Sequence, residues 1–214
     1  MICIDDSFDI IKISKDGNRT IIKKSTHLWK PSCVYCCPST GDLLVGLDRS
    51  GESSGKVTRY HNARHPTQTT GHEETDYVVP HNPNFITENN NGVVVVSCVD
   101  PTTIVKFNDA IEVTCTIVVL EHDGRHRFAY NGPPCGPKLR PGGICTEPLS
   151  NILVCDGNSS VQIVDKNGLF LFYLQTGIKQ PFTLQFDTYS YMLWIGNREG
   201  NILYSMRYLS RQGK

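Results

Sequence analysis

The feature that most constrains this chain is a spacing. A β-rich run, a turn signal and another β-rich run recur at intervals of 40–44 residues. Val154 to Ile195 is 41 residues, Val161 to Ile202 is again 41, and Val118 to Val161 is 43. The turn glycines Gly124 and Gly168 are 44 apart, and Pro141 and Pro181 are 40 apart. The runs themselves, such as Val93-Val94-Val95-Val96 and Asn151-Ile152-Leu153-Val154-Cys155, are continuously apolar. Such continuity suits strands buried on both faces. Asp16-Gly17-Asn18, Asn91-Gly92, Asp123-Gly124 and Asn167-Gly168 supply residues tolerant of positive φ between runs. No long window shows the apolar periodicity of a helix. A period near 40 residues built from four strands is that of a β-propeller blade, and a sheet apolar on both faces must stack on neighbours.

The clearest unit places strands at 143–146, 151–155, 161–165 and 169–174. Counting outward, earlier units start near Pro31 and Pro83 and the last starts at Pro181. Residues 10–17 match 162–168, so the chain opens among the outer strands of its first unit. The expectation is an all-β fold occupying residues 1–214 as one partial propeller, with about four full blades plus a half blade. One register is broken: Val95 to Val154 is 59 residues. The excess falls in residues 99–116, an insertion whose Thr103-Ile104-Val105-Lys106-Phe107 suits either an added strand or a long loop.

Several of these runs carry a family resemblance. Asn84-Phe85-Ile86-Thr87-Glu88-Asn89-Asn90-Asn91-Gly92, Gly124-Arg125-His126-Arg127-Phe128-Ala129-Tyr130, Gly143-Ile144-Cys145-Thr146, Ile152-Leu153-Val154-Cys155-Asp156 and Leu193-Trp194-Ile195-Gly196 resemble, in order, the NHL-repeat propeller of tripartite-motif (TRIM-NHL-like) proteins. The resemblance implies a six-bladed propeller that recruits protein or RNA partners, usually beside RING and B-box segments that drive ubiquitin transfer. The cysteines here lack the paired spacing of a RING or B-box. Ligase activity is therefore not expected of this chain itself.

Composition narrows the classes further. Lys plus Arg and Asp plus Glu are 21 each, which argues against a protein working by bulk charge on nucleic acid or membranes. No stretch has the length of a membrane span, and Asp5, Asp6 and Asp9 interrupt any leader-like run. Nine cysteines exclude a fully paired disulfide framework in a monomer and fit a reducing, cytoplasmic setting.

Candidate chemical groups are few. Cys33-x2-Cys36 with His61-x3-His65 has the outline of a zinc finger, but 24 residues separate the pairs. The two cysteines would also face opposite sides of one strand, and both are expected as buried core thiols. Cys145 and Cys155 fall on adjacent strands and are expected as small core hydrophobes. His122 and His126 flank a hairpin turn and are expected as solvated residues. No metal or cofactor is expected.

A propeller gathers on one face the loops joining second to third strands and those joining consecutive blades. That face would display Trp29, Lys30, Arg49, His72, Tyr77, His81, Lys138, Arg140, Lys179 and Arg198. Glu52, Glu73, Glu74, Asp76, Asp156 and Glu199 would share it. Mixed charge favours a protein partner held by complementary charges over single-stranded RNA, which would want cations beside stacking aromatics. The first reading is thus a non-catalytic protein-recognition module and the alternative an RNA-binding propeller. A propeller-type metal-dependent hydrolase or lyase comes third. Unpaired blade edges would also favour self-association.

Overall fold

The structure is a computed structural model. It describes residues 1–49, 54–61, 65–70, 82–107, 110–157, 160–200 and 203–208, by backbone alone at 61, 65–70, 99–107 and 110–115. Every described element is a strand: β1 (Ile2–Ile4), β2 (Ile10–Ile13), β3 (Arg19–Lys23), β4 (Trp29–Cys36), β5 (Leu43–Arg49), β6 (Gly55–His61), β7 (His65–Thr70), β8 (Pro83–Glu88) and β9 (Val94–Phe107). There follow β10 (Ala110–Leu120), β11 (His126–Tyr130), β12 (Pro141–Thr146), β13 (Ile152–Asp156), β14 (Ser160–Val164), β15 (Phe170–Leu174), β16 (Pro181–Asp187), β17 (Met192–Asn197) and β18 (Leu203–Arg207). They form five antiparallel meanders: β1–β3, β4–β7, β8–β11, β12–β15 and β16–β18. Three sheets have four strands, and the first and last have three among the described residues. This is the partial propeller that the spacing predicts.

Blade order follows from which strands touch. β4, β8, β12 and β16 contact one another in sequence and are the inner strands. β1 contacts β4 as β5 contacts β8 and β13 contacts β16, so β1 holds the second-strand position of its sheet. Each inner strand begins with or near proline, at Pro31, Pro83, Pro141 and Pro181, and its register slips beside that proline. Proline donates no ladder hydrogen bond, so a sheet tolerates it at an edge or a bulge, and an inner blade strand is an edge.

Consecutive residues of one strand serve two different cores. Val94 and Val96 pack with Leu44 and Val57 of the preceding sheet, whereas Val93 and Val95 pack with Ile152 and Val154 of the next. Leu153 and Cys155 then face Leu193 and Ile195. Ile10 meets Leu43 and Val45 at the first junction. On the far side of the last sheet this burial stops: Trp194 is 38% exposed and Leu203 67% exposed.

Two polar clasps reinforce the junctions. Arg59 of β6 donates to Glu88 of β8 and, at 3.4 Å, to Asp42, all three residues being buried. Tyr130 of β11 donates to Gln162 (2.6 Å), which donates to the fully buried Asp156 (2.7 Å). Burial pushes the Tyr130 phenol up, and the nearby Tyr173 and Asp156 add to the effect.

Residues 99–107 and 110–116 are strand. β9 and β10 run past the blade as one long hairpin, with a register shift between Val113 and Thr114. Gly17, Gly92, Gly124 and Gly168 all adopt positive φ, as the turn motifs require.

Close approach of inner strands depends on glycine at β12. A Cβ on Gly143 would lie 2.6 Å from the Thr183 Cα, and one on Gly142 would lie 2.9 Å from the Phe182 carbonyl oxygen. This opening lets Phe85 of β8 meet Phe182 of β16 edge-on, ring centres 5.5 Å apart. Gly143→Ala should therefore lower the unfolding free energy by about 1–3 kcal/mol, the usual range for overpacking. Urea denaturation checks this, and an unchanged midpoint would show that the strands have room there.

Candidate active site

We call the end where inner strands begin and second strands finish the upper face. In β4, Trp29 and Lys30 stand opposite Arg49 and Asp48 of β5, and Asp48 in turn stands opposite Gly55 of β6. The segment containing Lys138 and Arg140 precedes β12, Lys179 precedes β16, and Arg198 follows β17. The described members of the sequence-derived set thus share this face, whereas His72, Tyr77 and His81 lie outside the described residues.

The structure brings only some of them together. The Arg49 guanidinium lies 6.0 Å from the Trp29 ring, with Lys56 Nζ over that ring at 4.2 Å. Lys30 Nζ sits over the Phe8 ring at 4.9 Å. Further round, Arg198 approaches the Phe182 ring at 5.8 Å. Arg140 is tied down by its backbone, its N–H donating to Asp156 (3.2 Å) and its carbonyl accepting from Gly157 (2.9 Å). Lys30, Asn82, Arg140 and Gln180 each precede an inner-strand proline, and Asn82 and Gln180 do so at φ 44° and 48°. Left-handed φ is costly for a residue other than glycine and marks a strained rim.

Asp48 stands apart chemically. It is half-buried, and its Oδ1 is fully covered with no hydrogen-bond partner among the described residues. Ser54, one residue before the Gly55 that faces Asp48, has a covered and unpartnered Oγ as well. Burial pushes the Asp48 carboxyl up to about 6. Burial, with a smaller contribution from the Asp48 charge, pushes the adjacent Cys33 thiol up to about 12. A covered carboxylate oxygen without a donor is expensive, because nothing replaces its lost hydration. Neither Asp48 nor Ser54 is among the residues that the motifs single out. The available sequence signal is a lone carboxylate closing the apolar run Leu43-Leu44-Val45-Gly46-Leu47.

The remaining sequence candidates fall into place separately. Cys33 is a buried thiol as expected, but Cys36 is exposed, because the two point to opposite sides of β4; the His61 and His65 side chains lie outside the described residues. Cys145 and Cys155 are buried free thiols in the core between the last two sheets, and burial raises both, Cys145 to about 12. His122 is exposed beside Gly92, whereas His126, also expected as solvated, is half-buried with its Nε2 covered. Among the described residues no three His, Cys, Asp or Glu side chains gather as metal ligands. No helix among them is long and apolar enough to cross a membrane.

Solved structures share this architecture. Hydrazine synthase of Kuenenia stuttgartiensis matches over 96% of this chain and 66% of its own, at 14% identity and TM-score 0.69. A gluconolactonase from Xanthomonas campestris matches over 95% and 67%, at 15% identity and TM-score 0.61. A streptogramin B lyase matches over 96% and 63%, at 16% identity and TM-score 0.54. The chain thus spans about two thirds of the length of each of these proteins. No family model matches the chain, and no curated protein does. The likeness shows a propeller-type fold.

Two expectations are thereby corrected. The matched propellers named here are not tripartite-motif proteins, so the NHL resemblance reduces to the propeller itself. The reading as a non-catalytic recognition module, with RNA binding as its alternative, is overturned by the gluconolactonase and the lyase. That reading passed from blade architecture to absence of chemistry, and one fold supports unrelated functions through its sites.

The Asp48 carboxyl also gives a stability prediction. A carboxyl whose folded pKa is raised favours the protonated native state. The native state then holds more protons than the unfolded chain between about pH 4 and 6. Asp48 therefore costs stability progressively as pH rises through that window, and the full cost persists at pH 7. Asp48→Asn should be more stable than the parent at pH 7, by about 1–2 kcal/mol after allowing for partial exposure, and nearly equal to it at pH 4. Denaturation at the two pH values checks this; a less stable Asp48→Asn at pH 7 would contradict it.

Proposed function

We propose that this chain carries the reactive end of a β-propeller enzyme of the hydrolase or lyase type, with Asp48 as its acid–base group. The observation that carries the reading is the covered, unpartnered Oδ1 of Asp48 on the upper face. A carboxyl titrating near 6 holds its proton weakly enough to give it up at neutral pH and strongly enough to take one back. Both reaction types need this: hydrolysis takes a proton from attacking water, and elimination takes one from carbon beside an activating group. The fold of a gluconolactonase and a streptogramin B lyase is compatible with this assignment without specifying a substrate. The free, buried thiols suit a reducing cytoplasm.

The test is acid release from a panel of simple lactones, followed by pH-stat on the whole chain, with ultraviolet detection of new double bonds for elimination. The expected result is turnover that rises with pH through about 6 and falls by about 10²–10⁴-fold in Asp48→Asn. Undiminished turnover in Asp48→Asn would overturn the assignment. Absence of turnover by either readout would overturn the enzymatic reading.

A further inference from the structure

The junction between the first two sheets reaches the same upper face at Trp29, which packs with Leu47 on the other side of β5 from Asp48, and has its own chemistry. Trp29 is half-buried against the core formed by Ile10, Leu43 and Val45, so its indole is fixed from below. Lys56, opposite Leu47 in register, projects to that side and covers the ring at 4.2 Å. Phe8 is 44% exposed at φ 61°, a left-handed conformation costly for an aromatic residue. Lys30 lies over its ring.

The loop that presents Phe8 is built rather than slack. Asp5 Oδ1 accepts from the N–H groups of Ser7 (3.0 Å) and Asp9 (2.9 Å). Asp9 Oδ1 accepts from the Ser25 N–H (2.7 Å), and the Ser25 hydroxyl donates to the Ser7 carbonyl (3.1 Å). The Thr26 hydroxyl then bonds both the N–H and the carbonyl of Trp29. Hydrogen bonds therefore connect the backbone beside Phe8 to the backbone of Trp29. The Asp5 and Asp9 carboxylates are engaged by this stitching, and no carboxylate within ion-pair distance accompanies Lys30 or Lys56 among the described residues. Burial lowers the Lys56 ammonium from its ordinary range, so a nearby anion would stabilise its charged form.

From this arrangement we propose that the upper edge of the junction between the first two sheets binds a small aromatic carboxylate. The ligand's ring rests against Trp29 and Phe8, and its charge lies between Lys30 and Lys56. Two fixed aromatic surfaces provide area at little entropic cost, and two ammonium groups on flexible stems can close on one carboxylate. The site goes beyond the acid–base assignment of Asp48 and does not depend on it.

Benzoate titrated into the ¹⁵N-labelled whole chain tests this, since the indole N–H signals of Trp29 and Trp194 report separately. The expected result is a saturable shift of the Trp29 signal with Trp194 unmoved, no comparable shift with benzamide, and affinity about tenfold weaker in Lys56→Met and in Lys30→Met. Either methionine variant suffices if the other does not fold. Asp48→Asn should bind benzoate like the parent, so loss of this site and loss of turnover are distinguishable. An unmoved Trp29 signal, an equal response to benzamide, or unchanged affinity in the lysine variants would overturn the proposal.

Discussion

Burial of both faces of each blade is the constraint from which the rest of the structure follows. Val94 and Val95 are neighbours in sequence and belong to different cores, one with the preceding sheet and one with the following sheet. A strand made this way cannot satisfy itself in a two-layer sandwich with one wet face. It needs a sheet on each side, and repeating that need along the chain produces blades around an axis. The inner strands then lie so close that β12 uses two successive glycines where β16 passes. Proline is tolerated at the start of each inner strand because an inner strand is also a sheet edge.

Those same demands made much of the fold legible. Continuous apolar runs reported two-sided burial, and the turn glycines Gly17, Gly92, Gly124 and Gly168 reported positive φ directly. The recurrent prolines marked inner strands because their chemistry excludes them from sheet interiors. The interval 99–116 was ambiguous because added strand at a hairpin tip shifts the repeat by the same number of residues as a loop would. Family identity was not legible: the motif runs encode blade geometry, which unrelated propellers share.

The candidate site was legible only in part. Charges and aromatics in upper loops could be placed on one face from topology, and Trp29, Lys30 and Arg49 do stand there. Which of them meet depends on side-chain reach across strands; thus Lys56 and Phe8, absent from the sequence-derived set, complete the contacts of Trp29 and Lys30. Asp48 was hidden for a different reason. Its distinction is an oxygen covered by neighbouring atoms and left without a donor, a property of packing that no spacing rule carries. A rigid stack of blades can hold such a group at a free-energy cost that an isolated loop would relieve by turning toward water.

The central claim, that this scaffold keeps an aspartate chemically poised, is tested most directly by titrating Asp48 itself. Carboxyl ¹³C shifts of aspartate-labelled protein, assigned by the signal lost in Asp48→Asn, give its ionisation midpoint in the folded state. The account predicts a midpoint near 6. A midpoint at the ordinary aspartate value near 3.8 would contradict it.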